Sequence, residues 1–303
     1  MFDKIIKELC HELDIKYTYL SKDWVIMLTK EDKVRYLVGN KFDLNGHGIG
    51  SVMDDKYAFY DTLKKMNLPV CEYNILYREN NYNDYAQGCH REEDLINIFN
   101  KYQEDVIIKP NLGSIGLGVY HITDKKELLT KTKELLNENF SISICPFYHI
   151  KNEYRVIVLD NESKLIFKKI NPTVTGDGKS TLKELLIKFN PYYFKDKEII
   201  NYIPKKDETY IYDFRFNLSC GSIASIDIDN TIKETVTNIA LEVAEKTNLT
   251  FASIDIIETI DNKLLVLEAN SGVTINKVIN FIPNGYEIAK KIYREAILKM
   301  FSD

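Results

Sequence analysis

Two carboxylates and a carboxamide near the C-terminus, Asp255, Glu268 and Asn270, stand at a spacing suited to holding a cation. They lie in Phe251-Ala-Ser-Ile-Asp-Ile-Ile257 and Leu264-Leu-Val-Leu-Glu-Ala-Asn270, two apolar runs that flank Asp261-Asn262. Such runs read as strands of a hairpin. An even-sized loop centred on Asp261-Asn262 pairs 255 with 268, and 270 then shares their face. Directly opposite residues have β-carbons about 5 Å apart, where like charges repel. A cation between them relieves that repulsion, and hard oxygen ligands of this kind suit Mg2+. The same pattern also fits two solvent-facing acids on an ordinary hairpin, so a companion site for the rest of a ligand decides between the two.

A candidate companion is Lys109-Pro-Asn-Leu-Gly-Ser-Ile-Gly-Leu-Gly118. Gly113, Gly116 and Gly118 allow positive φ and close approach of the backbone, so that successive amides can face an anion. Ser114 adds a hydroxyl donor, and Lys109 a positive charge for a phosphate. The loop is neither a Walker loop nor a dinucleotide fingerprint, because no Gly-Lys-Ser/Thr closes it and no helix follows at once. Lys56 is a second candidate. It falls in the first turn of a helix, where a cation opposes the helix dipole unless it faces an anion. Glu153 and Arg155 alternate with Tyr154 and therefore share one face.

These residues need a scaffold, and the chain is long enough for one. It has 303 residues, 45% of them hydrophobic, enough for a large core in one to three subdomains. The net charge of −5, without a basic stripe, argues against nucleic acid as the main partner. Five cysteines (Cys10, Cys71, Cys89, Cys145, Cys220) without CxxC spacing suit reduced thiols. With no signal peptide and no apolar run near 18 residues, a cytoplasmic protein without membrane contact is expected.

Period-two and helical patterning predict a hairpin over residues 23–38 and a helix capped by Ser51 and Asp54 that ends near Asn67 and Pro69. Strands are predicted at 105–110, 119–122 and 141–147, with a helix opening at Asp124 and Glu127. A hairpin over 154–170 turns at Asp160-Asn161. Helices follow from Thr181, over 231–247 and near 285–300, and residues 191–208 read as irregular. Hairpins outnumber β-helix-β units, so antiparallel sheets backed by helices (an α+β fold) fit better than a Rossmann sheet.

In this order the segments resemble the ATP-grasp carboxylate-amine ligases, and most closely the ligase modules of cyanophycin synthetase and bifunctional glutathione synthetase. The resemblance rests on Met53-Asp-Asp-Lys56, Ile107–Val119, Glu153-Tyr-Arg155, Val174-Thr-Gly-Asp-Gly-Lys-Ser-Thr-Leu182, Phe214–Gly221 and Asp255 with Glu268-Ala-Asn270. Together these segments span about residues 20 to 280.

The resemblance implies an ATP-grasp fold clasping ATP between two subdomains. The corresponding partition is a short N-terminal segment (1–50), a small lobe with the Gly-rich loop (51–150) and a C-terminal lobe with the Mg site (151–303). It implies that Lys56 and Lys109 contact phosphates, that loop 113–118 closes over them, that Phe147 lines the nucleotide pocket and that Glu153 meets the ribose. Asp255, Glu268 and Asn270 would hold two Mg2+ ions, with Mn2+ as a substitute. Arg215 and Asn217 would lie near the transferred phosphate and acyl group, with Arg215 stabilising the tetrahedral intermediate and Arg155 orienting a carboxylate, two roles open to exchange.

The reaction implied is activation of a carboxylate as an acyl phosphate and its capture by an amine. The substrates would be small molecules or a peptide, and a homo-oligomer is left open. A peptide- or protein-modifying enzyme and a non-catalytic nucleotide-binding module are the alternative readings. For the first of these, residues 191–212 are the candidate peptide surface. The chain departs from the family pattern at Pro146, where relatives carry a glutamate near the adenine, and at Ser271-Gly272, where Pro-Gly is common. The segment before Lys56 is also shorter than in typical relatives.

Overall fold

The computed structural model describes residues 1–78, 91–113, 116–187, 201–211, 213–218 and 221–302. Its elements in chain order are α1 (Phe2–Glu12), β1 (Lys16–Leu20), β2 (Val25–Lys30), β3 (Lys33–Val38), β4 (Lys41–Phe42), α2 (His47–Asp54), α3 (Lys56–Lys65), β5 (Asn74–Tyr77), α4 (Glu92–Lys101), β6 (Val106–Pro110), β7 (Tyr120–Ile122) and α5 (Lys125–Glu138). They continue with β8 (Ser141–Pro146), β9 (Ile150–Leu159), β10 (Glu162–Ile170), β11 (Thr173–Thr175), α6 (Leu182–Ile187), β12 (Thr209–Ile211), β13 (Ile223–Ser225), α7 (Asn230–Thr247), β14 (Phe251–Thr259), β15 (Leu264–Asn270) and α8 (Gly285–Phe301). Ser114, Cys89, Cys220 and most of the predicted irregular segment 191–208 lie outside the described residues. Cys10, Cys71 and Cys145 are buried free thiols. Among the described residues no helix is long and apolar enough to cross a membrane.

The strands form antiparallel sheets, as the excess of hairpins predicts. The largest has the order β13-β10-β9-β14-β15, a second β5-β8-β6-β7, and a third β1-β2-β3-β4; β11 and β12 form a separate pair. Every residue of β14 is buried, so it is covered on both faces. On one face Ala252, Ile254 and Ile256 join Tyr154, Val156 and Val158 against Val236, Ala240 and Val243 of α7. Met53 of α2 and Phe59 and Leu63 of α3 complete that core. The start of the expected small lobe therefore rests on the large sheet of the C-terminal lobe. At one end of the opposite face, Ile157, Leu159, Phe167 and Phe251 pack with α1, α8 and the β1–β4 sheet. At the other end Ile257 meets Tyr60, Tyr73, Ile107 and Cys145 in a cluster that joins the five-stranded sheet to the β5-β8-β6-β7 sheet. The chemistry-bearing residues occupy the stretch of this face between the two apolar clusters.

Two local expectations are corrected. Ser51 does not cap the helix that carries Lys56. Instead α2 runs to Asp54, and Asp55, at φ −101° and ψ 109°, ends it and caps α3 by accepting from Ala58 N at 2.8 Å. An extended residue with an oxygen reaching N3 is an N-cap, so Lys56 takes the first helical position. The second correction concerns the hairpin loop. Near the turn Glu258 faces Leu264 and Ile257 faces Leu265, the register of an odd loop, and Asn262 takes φ 60°. That register alone would not set 255 opposite 268. A bulge on β15 after Val266 restores the pairing, so Asp255 faces Glu268 and Ser253 faces Asn270. The expected pair forms, although not by the expected loop.

Candidate functional site

On the face between the two clusters, four charged side chains from three adjacent strands make a buried network. Arg155 on β9 faces Asp255 on β14 in register and forks onto it, with Nε to Oδ1 at 2.6 Å and Nη2 to Oδ2 at 2.5 Å. Lys169 on β10 faces Glu153 on β9, donating to its Oε1 at 2.5 Å and to Asp255 Oδ2 at 3.0 Å. Burial works to raise the pKa of Asp255, but Arg155 and Lys169 outweigh it and hold it at about 2. Burial has the larger say at Glu153, which is pushed up to about 7 even with Lys169 in contact. Two cations for two carboxylates make the network neutral when all four are ionised, and this is how a sheet interior tolerates such groups.

Lys169 is the member that sequence reasoning missed. Its signal was a lysine inside the apolar run Leu165–Ile170, on a strand whose partner carries Glu153. Glu153, expected at a ribose, is 5% exposed, and its carboxylate is held by Lys169.

Glu268 differs from Asp255. It is half-buried, and among the described residues no cation lies in salt-bridge contact with it; Asn270 Nδ2 donates to its Oε1 at 3.3 Å. Ala269 points into the α7 core, so Glu268 and Asn270 both face the site. The donor set, two carboxylates and one carboxamide, fits a hard divalent cation that keeps part of its water shell. Glu268 is the carboxylate with charge left to offer, since Arg155 and Lys169 already neutralise Asp255. The Asn270 carboxamide would have to turn over to bring its oxygen beside Glu268.

The two lysines come together at the N-terminus of α3. Lys56 Nζ donates to Asn111 O at 3.2 Å and to Gly113 O at 2.8 Å. Lys109, 9% exposed on β6, donates to Tyr73 Oη at 2.9 Å and lies 4.8 Å from that ring's centroid. Burial, and after it the charge of Lys109, push the Lys56 ammonium down to about 8, while Glu268 pulls the other way. Tyr73, which holds Lys109, packs in one cluster with Ile257 and Leu267, so the lysine pair lies beside the carboxylate hairpin. Gly116 and Gly118 take φ of +75° and +67°, as the loop reading requires; Gly113 is exposed and is not among the positive-φ residues.

The segment after β12 reaches the same loop. Arg215 Nη1 donates to Gly116 O at 2.8 Å. Its Nε and Nη2 grip Asp213 at 3.0 and 2.7 Å, and its backbone N donates to the same carboxylate at 2.9 Å. Asp213, 5% exposed, is a second residue the sequence reading passed over. Asn217 also approaches the loop: a β-carbon added to Gly116 would sit 2.9 Å from its Nδ2. At the far edge Phe147 stacks on His121 with centroids 3.8 Å apart, and both rings meet Phe214. Phe147 N donates to Asp105 O at 3.0 Å, and His121 Nε2 lies 2.7 Å from Asp105 Oδ1. The backbone N–H of Phe147 is therefore committed to Asp105 and its ring to the stack on His121.

Comparison with known proteins bears on the fold that carries these residues. Residues 204–296 match the model of the RimK-like ATP-grasp domain. Over 169 residues, 55% of this chain, the sequence is 25% identical to the glutathione biosynthesis bifunctional protein of Lactiplantibacillus plantarum, of which it covers 21%. The bifunctional glutathione synthetase from Pasteurella multocida superimposes with a TM-score of 0.53 at 16% identity, over 96% of this chain and 44% of that one. D-alanine–D-alanine ligase from Bacillus anthracis gives 0.54 at 16% identity, over 86% and 68%. The chain spans about a fifth of the length of the curated relative it matches.

Proposed function

We propose that the chain, which has the ATP-grasp fold and matches the RimK-like ATP-grasp domain over residues 204–296, is an ATP-dependent carboxylate-amine ligase that releases ADP and phosphate. The observation that carries this reading is the meeting of two like-charged lysines with a carboxylate hairpin. A polyphosphate would satisfy both halves, with Lys56 and Lys109 to meet its oxygens and Glu268, Asn270 and Asp255 to hold its counter-cation. Bound Mg2+ would draw charge off the phosphoryl oxygens as they transfer.

The chain's own residues do the rest. Lys56 and Lys109 neutralise charge on the phosphates and orient them. Arg215, permanently charged and held by Asp213, stands beside the Gly-rich loop where the acyl phosphate and its tetrahedral adduct would form. Asn217 adds a donor there, and Ser114 is carried as a further phosphate contact. Arg155 fixes Asp255 and stands second to Arg215 for orienting a carboxylate. A carboxylate oxygen attacks the γ-phosphorus, ADP leaves, and an amine displaces phosphate from the acyl group. Closure of loop 113–118 keeps water from the labile intermediate. Hydroxylamine added with ATP and a panel of carboxylates is expected to yield a hydroxamate along with ADP; ADP release with no hydroxamate on any of them would reject acyl activation.

A pH effect follows from Lys56. In the free protein its ammonium is lowered to about 8, and a bound phosphate raises it again. ADP affinity is therefore expected to be flat up to pH 8. It should then fall by up to about tenfold per pH unit as the free protein loses the proton that the complex keeps. Calorimetry at pH 8.5 in buffers of different ionisation enthalpy should report proton uptake on ADP binding; uptake unchanged in Lys56→Met would exclude this lysine.

A further inference from the structure

Asn111 follows β6 directly, is fully buried, and has an amide nitrogen with no acceptor among the described residues. Its orientation is fixed by its neighbours. Oδ1 accepts from Tyr57 N, in the first turn of α3, at 3.1 Å and from Ser143 Oγ at 3.0 Å. A backbone N–H can only donate, so the other arm of the carboxamide must be the NH2 group. The main chain of Asn111 binds the same helix end: its carbonyl accepts from Lys56 Nζ at 3.2 Å and Lys56 N at 3.4 Å. Its own N–H donates to Ser141 O, which carries the β6–β8 ladder one residue past the strand. Asn111 and Lys109 therefore share one face. A planar amide with its oxygen on the first turn of α3 has its nitrogen close to that turn as well.

We propose that Asn111 is a nucleotide-binding residue whose Nδ2 donates to a phosphate oxygen held between Lys56 and Lys109. This rests on the ligase reading given above and adds a donor to it. A buried donor with no acceptor costs stability. Here its residue meets a helix N-terminus and Lys56 and shares a strand face with Lys109; each of these favours an anion and none can accept from the donor. A phosphate oxygen is the ligand that serves all of them. The carboxamide would thus tie α3, the strand β8 through Ser143, and the phosphate into one unit.

The test uses the full chain with ADP and, as a probe without phosphate, adenosine. Asn111→Ala removes the donor without adding charge and should weaken ADP about tenfold, the loss expected of one hydrogen bond to a charged group. Asn111→Asp keeps both acceptor contacts, replaces the donor with a negative charge, and should weaken ADP about a hundredfold or more. Adenosine should bind both variants as it binds the wild type, and Asn111→Asp without ligand should melt no lower than wild type. Equal ADP affinity in Asn111→Ala and wild type would overturn the assignment while leaving the ligase reading intact. Parallel loss of adenosine binding would also overturn it, by revealing a purely structural role. A wild-type protein that binds no ADP would reject the ligase reading and the assignment with it.

Discussion

Replacement of Lys169 by methionine is expected to lower the unfolding free energy by about 3–5 kcal/mol, the range for removing one partner from a buried ion pair. The side chain is 4% exposed and contacts both Glu153 and Asp255, so the variant leaves two buried carboxylates facing Arg155 alone. The loss should depend on pH in a defined direction. Glu153 is already raised to about 7, and without Lys169 it rises further. A carboxyl that stays protonated in the folded state while the unfolded chain has ionised makes stability fall as pH rises. In the wild type that fall ends as pH passes about 7, whereas in the variant it continues. The gap between the two should therefore widen above pH 7. Urea titrations at pH 6 and pH 8.5 would measure it, and an equal gap at both would rule out Glu153 as the group in play.

The largest effect on turnover is expected from Glu268→Gln. Under the proposed metal assignment, losing this carboxylate forfeits charge stabilisation worth several kcal/mol, so ADP release should fall by about a hundredfold or more. The substitution changes little in volume and breaks no salt bridge among the described residues, so the melting temperature should hold. Asp255→Asn is the less informative choice, because it also breaks the contacts with Arg155 and Lys169. Binding of ADP without Mg2+ should be kept or strengthened in Glu268→Gln, since a negative charge near the phosphates is gone. Full Mg2+-dependent turnover in this variant would sink the metal assignment, and lost turnover with a lowered melting temperature would point to folding instead.

The residues that read clearly from sequence were those whose type conflicts with their surroundings. An acid in Phe251–Ile257 and another in Leu264–Asn270 stand out because neither belongs on an apolar strand without a reason. The glycines of the loop stand out because two of them need positive φ. Elements set by long-range packing were harder to read. The amphipathic helix α1 and the edge strand β1 went unassigned because their partners, α8 and β2, are what make them stable. The strand β5 and the helix α4 were also passed over; β5 is four residues long and, among the described residues, pairs only with β8.

Lys169 and Asp213 were missed for a related reason. Each is an ordinary charged residue until its partner across a strand or along a loop is known. Asn111 lies inside the quoted glycine-rich motif, yet only its hydrogen bonds single it out. The helix carrying Lys56 was found with the wrong cap, because Ser51 and Asp55 compete for the same role and α2 settles it by ending at Asp54.

The bulge on β15 separates two requirements that a plain hairpin would couple. In an unbroken antiparallel ladder, changing the turn by one residue turns every later side chain to the opposite face. Here the strand already holds one surplus residue between the turn and Glu268. A one-residue change in the turn can be taken up there by losing or moving the bulge, with Glu268 still opposite Asp255. The length of the turn at Asp261-Asn262 is thereby uncoupled from the positions beyond Val266, which stay in step with the buried network.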